Sequence, residues 1–129
     1  MIDHVSIGVF DFCRSTAFYD RTLATLGVRR LFDVPQEHSG GVKVTGYGDA
    51  HPWFWLAEEH PTSGMMHIAF RAQNHVQVDA FYKAALEAGG TDNGVPGYRP
   101  HYHPNYFAAF VLDPDGHNVE AVCHSEGQS

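Results

Sequence analysis

Polar and hydrophobic residues alternate over the first ten positions of the chain, which is the spacing of a β-strand with one buried face. The buried face would carry the larger apolar residues and the opposite face small or polar ones: Val5, Ile7 and Val9 against His4, Ser6 and Gly8. A strand with two such faces suits a curved sheet around a cavity. We therefore predict a first strand at residues 2–10, with its polar face turned toward that cavity.

A helix and three strands are predicted to follow. Asp11 is a good N-cap, apolar residues recur at helical spacing as far as Leu26, and Gly27 favours a helix end. These signals predict a helix at residues 12–26. Stretches rich in turn-forming residues then separate three predicted strands, at residues 28–33, 42–47 and 53–57. The order of the first half is βαβββ.

The second half shows the same order. A strand that begins at Met65 alternates between an apolar face with Ile68 and Phe70 and a face that carries His67 and Arg71. A helix is predicted at residues 76–88, with an inward face of four residues: Val78, Phe81, Tyr82 and Leu86. Three strands complete the half, near residues 91–93, 106–112 and 118–123.

The repetition also appears in the residues themselves. The tripeptide AFY at residues 17–19 recurs sixty-three positions later, and at this same offset Leu23 is followed by Leu86, Gly27 by Gly90 and His4 by His67. The sequence thus predicts an α+β fold of two tandem βαβββ modules related by a pseudo-twofold axis, forming a curved mixed sheet or half-barrel. We expect one domain at residues 1–124, with modules at about 1–60 and 64–124, and a flexible tail at 125–129.

Composition narrows the functional classes. A chain of 129 residues with 43% hydrophobic content can form one globular core, and its net charge of −7 argues against binding to nucleic acid or an anionic membrane. The two cysteines are far apart and suggest no disulfide framework, and no stretch is typical of a signal peptide or a membrane span. We expect a cytoplasmic protein.

Glu120 is the most informative single residue. It follows a DPDG turn at residues 113–116 and lies in a predicted strand whose other face is apolar, so its carboxylate needs a cation. His4 and His67 occupy matched positions in the two modules. Two imidazoles and a carboxylate are a ligand set for a divalent transition metal with open coordination positions, and Fe, Mn, Ni, Co and Zn all remain possible.

A fourth ligand is not evident. Aligning HPWF at residues 51–54 with HNVE at 117–120 places Phe54 opposite Glu120, or Trp55 or Ala57 if the loops differ in length. None of these binds metal, and Glu58 and Glu59 are weak alternatives just beyond the strand.

Two further stretches are candidates for contact with a substrate. The loop at residues 99–106 offers three side chains for proton transfer: His103 as first choice, Tyr102 as second, and His101. The same loop offers Tyr106 for substrate binding. Arg71 lies on the same strand face as His67 and suits an anionic group. Phe54 and Trp55 are candidates to wall an aromatic cavity, although alternate residues of a strand face opposite sides. The six remaining histidines are predicted to be surface residues: His38, His51, His60, His75, His117 and His124.

Five segments of the sequence resemble the vicinal oxygen chelate superfamily: IDHVSIGV, AFYDRTLATLG, HIAF, AFYKAALEAGG and DPDGHNVEAV. This superfamily includes glyoxalase I, extradiol dioxygenases, fosfomycin resistance enzymes, methylmalonyl-CoA epimerase and bleomycin resistance proteins. The resemblance implies paired βαβββ modules around a metal that is held by His4, His67 and Glu120. It also implies that the missing fourth carboxylate moves the ligand set from glyoxalase I toward extradiol dioxygenases.

These observations favour a metal-dependent enzyme that acts on a small molecule with adjacent oxygens, as a lyase, isomerase or dioxygenase. The alternative is a metal-free protein that binds a small ligand, as bleomycin resistance proteins do. Thiol transfer of the fosfomycin resistance kind has little support, because the chain holds only 8 Lys and Arg. In either main case we expect a homodimer, and the sequence leaves open whether the modules pair within one chain or between two.

Overall fold

The computed structural model describes residues 1–125, which fold in the order βαβββ–βαβββ with a short 3₁₀ turn at Gln36–His38. The first module contains five elements: β1 (Val5–Val9), α1 (Phe12–Ala24), β2 (Arg29–Val34), β3 (Val44–Gly48) and β4 (Pro52–Glu58). The second contains the same five types: β5 (His67–Arg71), α2 (His75–Glu87), β6 (Thr91–Tyr98), β7 (Phe107–Leu112) and β8 (Asn118–Cys123). The predicted order is confirmed. Neither helix of the described chain is long and apolar enough to cross a membrane.

Each module has its own four-stranded mixed sheet. The strand orders are β1-β4-β3-β2 and β5-β8-β7-β6, and in both sheets the first pair is parallel and the others antiparallel. Within residues 1–125, no hydrogen-bonded ladder joins β1 to β5. The two-module α+β fold is therefore confirmed, but the sheets of one chain do not close into a barrel. The predicted tail lies outside the described residues from position 126 onward.

One aromatic core joins the modules. The ring of Tyr19 on α1 lies 5.2 Å from that of Phe54 on β4, and Phe54 lies 5.2 Å from Phe70 on β5, both edge to face. All three side chains are buried. Edge-to-face pairs stabilise a core beyond the area that they bury, so this chain of rings fixes the two sheets relative to each other.

Two local predictions from the sequence were wrong. Leu86 is 38% exposed, whereas Ala85 is fully buried, because the inward stripe of α2 runs through Val78, Phe81 and Ala85 at helical spacing and passes Leu86 by one position. Strand β6 extends to Tyr98, well beyond residue 93. Its register with β7 shifts on both sides of Gly94, and such irregular pairing accommodates glycines that otherwise resemble a turn signal.

His117 and His75 are buried, which corrects their assignment to the surface. The Nδ1 atom of His117 lies 3.0 Å from Oδ2 of Asp113, and its Nε2 atom lies 2.7 Å from the carbonyl oxygen of Thr62. The Tyr19 hydroxyl donates to the same Asp113 oxygen at 2.6 Å. Both ring nitrogens face acceptors, so only the protonated imidazole satisfies both contacts. This network joins α1, the linker between the modules and the turn before β8.

Gly8 is required where the linker crosses β1. A Cβ atom at this position would lie 2.3 Å from the carbonyl oxygen of His60, and the Gly8 backbone exchanges hydrogen bonds with Thr62. We expect Gly8→Ala to lower the free energy of unfolding by about 1–3 kcal/mol, because the linker must shift to accept the methyl group. Urea unfolding measures this, with Ser6→Ala on the exposed face of the same strand as control. Equal stability of the two variants would contradict the packing described here.

Candidate metal centre

Glu120 lies in the middle of β8, between Ala69 on β5 and Phe110 on β7. The alternate residues of β8 face the core, so the Glu120 side chain faces the other surface of the second sheet, as the sequence predicted. The residue is nevertheless 0% exposed. Among residues 1–125, no Lys or Arg nitrogen lies within 4.0 Å of its carboxylate. A buried carboxylate without a fixed cation is costly unless its oxygens are bonded.

Both oxygens of Glu120 have partners. Oε1 lies 2.7 Å from Nε2 of His67, and Oε2 accepts a hydrogen bond from the Tyr106 hydroxyl. Burial raises the pKa of Tyr106 well above its usual value, and the hydrogen bond to Glu120 and the charge of Glu120 raise it further. Tyr106 therefore remains a donor at neutral pH and holds the carboxylate in one orientation.

His67 and Glu120 are hydrogen-bonded at 2.7 Å and are close enough to become ligands of one ion. Two ligand atoms with metal bonds of ~2.1 Å lie roughly 3–3.4 Å apart, so a small separation of Nε2 and Oε1 would admit the metal. The His67 side chain is 40% exposed, so one side of the pair is open. An imidazole and a carboxylate are donors that first-row transition metals accept, and the pair fits such an ion as two of its ligands.

His4 lies apart from this pair. It precedes β1, its side chain is 55% exposed, and its Nδ1 atom lies 2.6 Å from the Asp3 carboxylate. Residues 1–125 contain no group of three His, Cys, Asp or Glu side chains placed to hold a metal. The structure thus brings two of the three predicted ligands together within one chain and leaves the third on a separate sheet.

The strand registers identify the residue that corresponds to Glu120 in the first module. Ser6 pairs with Trp55, and Ala69, at the repeat offset from Ser6, pairs with Glu120. Trp55 therefore occupies the matching position, which was the alternative to the first-choice alignment with Phe54. Both strands begin one residue after the histidine, but β4 carries an extra residue at Trp53, where its register with β3 shifts. Trp55 is partly exposed and packs edge to face on Phe32.

Two other candidates serve structural roles. Phe54 belongs to the aromatic core and has no exposed surface for a substrate. Glu58 accepts a hydrogen bond at 2.9 Å from the backbone N–H of Phe12, at the first turn of α1, so it stabilises the helix start. We leave both residues out of the candidate site.

The loop at residues 99–106 reaches the site through Tyr106. The Tyr102 ring centre lies 5.1 Å from that of Tyr106, and His101 lies 4.2 Å from Tyr102. His103 is on the other side, 5.7 Å from His124. Of the loop residues that the sequence indicated, Tyr106 is the one in contact with Glu120. The other three, His101, Tyr102 and His103, are exposed.

Arg71 is exposed at the end of β5. It lines a cleft of about 600 Å³ together with His4, His51, Trp53 and Phe70. His67 and Glu120 do not line this cleft. The side chain thus lies on the His67 face of its strand, but at the other end of it.

The sequence of residues 1–121 matches the family described as the Glyoxalase/Bleomycin resistance protein/Dioxygenase superfamily. The chain belongs to this superfamily. Its structure resembles that of a glyoxalase/bleomycin resistance protein from Albidiferax ferrireducens, at 29% identity over 95% of this chain and 98% of the other, with a TM-score of 0.73. No protein of curated function gives a significant sequence match.

Two solved structures of lower sequence identity share the fold alone. One is the fosfomycin resistance protein FosX from Listeria monocytogenes, at 18% identity over 95% of this chain and 90% of that one, with a TM-score of 0.67. Another is a glyoxalase I variant from Zea mays, at 23% identity over 94% of this chain and 45% of that one, with a TM-score of 0.71. The same two-module architecture thus occurs in proteins with different activities.

Proposed function

We propose that this superfamily member is a metal-dependent enzyme whose substrate chelates the metal through two adjacent oxygens. His67 and Glu120 would provide two ligands. The observation that carries the proposal is the 2.7 Å approach of Nε2 to Oε1 at a fully buried carboxylate that has no Lys or Arg partner among residues 1–125. A divalent ion would supply positive charge to both ligands, in place of the hydrogen bond that joins His67 to Glu120.

The third ligand, His4, would come from a second copy of the chain. In support, His4 and His67 are at matched positions of the two modules, yet β1 and β5 belong to separate sheets of one chain. A symmetric dimer can place the first module of each copy against the second module of the other. Such an assembly would complete two identical sites, and neither copy would complete one alone.

When bound, the metal would act as a Lewis acid that stabilises negative charge on the substrate oxygens. Tyr106 would hold Oε2 of Glu120, so that Oε1 is directed toward His67 and the ion. Tyr102, His103 and His101 remain candidates for moving protons at the rim. Trp55 would wall the cavity from the position where a fourth ligand is absent. Lyase, isomerase and extradiol-type dioxygenase reactions all fit this arrangement.

A second candidate function is binding of a small molecule without metal, as proposed for chains of the bleomycin resistance type. One observation favours it: within residues 1–125 the third predicted ligand does not approach the other two. In this case His67, Tyr106 and Glu120 would form a hydrogen-bonded network, and a ligand would contact it from the exposed side of His67.

Metal content separates these candidates. We expect the purified protein to carry about one transition metal ion per chain by elemental mass spectrometry, and His67→Ala and Glu120→Ala to lower the metal affinity at least ~10–100-fold, because each removes a ligand of a three-ligand site. Glu87→Ala, which removes an exposed carboxylate of α2, is the matched control. Wild-type protein that holds no metal after incubation with excess ions would overturn the enzyme proposal and favour the binding protein.

A further inference from the structure

Arg99 is a cation held in a fixed position beside the candidate metal centre. Its Nη1 atom donates to the carbonyl oxygen of Gly97 and its Nη2 atom to that of Val95, both at 2.8 Å. A guanidinium has five N–H groups, so these two bonds leave three donors for other partners. The contacts orient the side chain without consuming its hydrogen-bonding capacity.

Two glycines of β6 make the space for this guanidinium. A Cβ atom at Gly94 would lie 3.2 Å from Nη2 and 2.9 Å from the Phe110 ring, and a Cβ atom at Gly97 would lie 3.2 Å from Nη1. A Cβ atom at either position would come closer to the guanidinium than ordinary van der Waals contact, so Arg99 would have to shift. The irregular, glycine-rich course of β6 therefore forms a cradle for Arg99.

The cradle lies next to the metal ligands. The Arg99 Cζ atom is 5.4 Å from the centre of the Phe110 ring, and the His67 ring centre is 6.0 Å from the same point. Phe110 is the strand partner of Glu120. The guanidinium and the imidazole thus both lie beside the Phe110 ring. The distance between Arg99 Cζ and the His67 ring centre is at most the sum of 5.4 Å and 6.0 Å. A ligand held by both groups would extend past the Phe110 ring.

Arg99 forms no ion pair within residues 1–125. No carboxylate oxygen lies within 4.0 Å of its nitrogens, which is also true of Arg29 and Arg71, whereas Arg14, Arg21 and Arg30 each have such a partner. Carbonyl oxygens accept its hydrogen bonds but carry no net charge. The two hydrogen bonds to Gly97 and Val95 hold the irregular strand β6 together, and this structural role uses two N–H donors of Arg99. It does not explain the positive charge of Arg99 or its other three donors.

We propose that Arg99 binds a carboxylate of the substrate, at a subsite distinct from the metal. The inference rests on the proposed function and makes it more specific: the substrate would be a small carboxylic acid with a separate pair of adjacent oxygens. A planar carboxylate fits the remaining fork of N–H donors, and such charge-assisted pairs are stronger than neutral hydrogen bonds. The Phe110 ring, 5.4 Å from Cζ, adds a cation–π contact that helps to hold the guanidinium at this place.

A pair of matched probes tests the subsite. Catechol and 3,4-dihydroxybenzoate share the adjacent oxygens and differ in one carboxylate, and calorimetric titration measures their affinities for metal-free and metal-loaded protein. We expect wild-type protein to prefer dihydroxybenzoate by about tenfold or more, and Arg99→Gln to abolish this preference. Lys83→Gln on the exposed face of α2 removes the same charge far from the site and should retain the preference.

Equal or undetectable binding of the two probes to wild-type protein, or a preference that survives in Arg99→Gln, would overturn the assignment. A preference abolished by Arg71→Gln but not by Arg99→Gln would transfer the role to Arg71. Thermal unfolding of Arg99→Gln measures the stability that is lost with the two hydrogen bonds to β6. If Arg99 had a structural role only, the variant would lose stability and keep the preference for dihydroxybenzoate. Because the metal content of the same samples is measured separately, a carboxylate preference in protein that takes up no metal would refute the enzyme proposal and leave the subsite standing.

Discussion

Two variants that bind metal only weakly on their own should recover tight binding when mixed. His4→Ala and Glu120→Ala chains, unfolded and refolded together in equal amounts, are expected to bind metal at about one quarter of their sites. Half of the resulting dimers would contain one copy of each variant. In such a dimer, one site receives His4 from the Glu120→Ala chain and His67 with Glu120 from the other chain, and the second site lacks both replaced ligands.

This experiment distinguishes a shared site from a site within one chain. Elemental mass spectrometry after gel filtration gives the metal content of the mixed dimers. A mixture of His67→Ala and Glu120→Ala is the control: both changes affect the same second module, so no combination of these chains restores an intact site. No recovery in the first mixture, while wild-type protein refolded in the same way binds metal, would contradict a site formed by two copies.

The second large effect concerns folding stability. Replacing His117 by Ala should lower the free energy of unfolding by about 3 kcal/mol near pH 6, because it removes the cation of a buried ion pair and one anchor of the linker. The Asp113 carboxylate would remain buried, with the Tyr19 hydroxyl and the backbone N–H groups of Asp115 and residue 117 as donors. Urea unfolding monitored by tryptophan fluorescence measures the loss.

The pH dependence carries a distinct sign. The hydrogen bond from His117 to Asp113 raises the pKa of His117 despite the opposing effect of burial, and the bond to Thr62 and the charge of Asp113 raise it further. The stabilisation from His117 is thus complete below its unfolded pKa of ~6.5 and is lost as the pH rises through the folded-state value. Wild-type protein should lose part of its advantage over His117→Ala on the alkaline side, because the neutral imidazole can donate to only one of its two acceptors.

Asp113 sets the acid limit. Burial alone would raise its pKa, but hydrogen bonds from His117 and Tyr19 and the charge of His117 outweigh burial and lower the pKa below its usual value. Its contribution is therefore present above the unfolded pKa of ~3.9 and is lost as the pH falls through the lower folded-state value. The two groups together stabilise the fold most between about pH 4 and 6.5. A stability difference between wild type and His117→Ala that does not change with pH would contradict an ion pair.

The bounds and faces of a strand or helix were predicted best where the residues of that element alone define them. Strand β8 has the predicted bounds and faces, because a DPDG turn and a strict alternation define it locally. The burial of His117 could not be predicted in this way, since it depends on the Thr62 carbonyl fifty-five positions away. The repeat offset of 63 positions also separates the two observed helices, Phe12–Ala24 and His75–Glu87. The wrong burial of Leu86 came from the helical spacing, which allowed either of two neighbouring inward stripes.

The candidate site was predictable as a set of residues rather than as an assembly. Glu120 and His67 meet because their strands are neighbours in a parallel pair, and alternation had already placed both on one face. Tyr106 lies on the same face of the sheet as Glu120, but Ala108 stands between Tyr106 and Phe110, the strand partner of Glu120. The sequence did not indicate that the Tyr106 side chain would extend beyond Ala108 to the carboxylate. Arg99 escaped notice because its cradle depends on the backbone course of β6 and not on any local pattern.

The aromatic core that unites Tyr19, Phe54 and Phe70 ties each first module to the second module of its own chain. Under the proposed assembly, the metal ties each first module to the second module of the other chain. Association and metal uptake then form a single thermodynamic cycle. The ion would stabilise the contact between subunits, so a chelator would promote dissociation of the dimer. Dilution would in turn dissociate the dimer and release the ion. The dimer would be most durable in cells where that metal is plentiful.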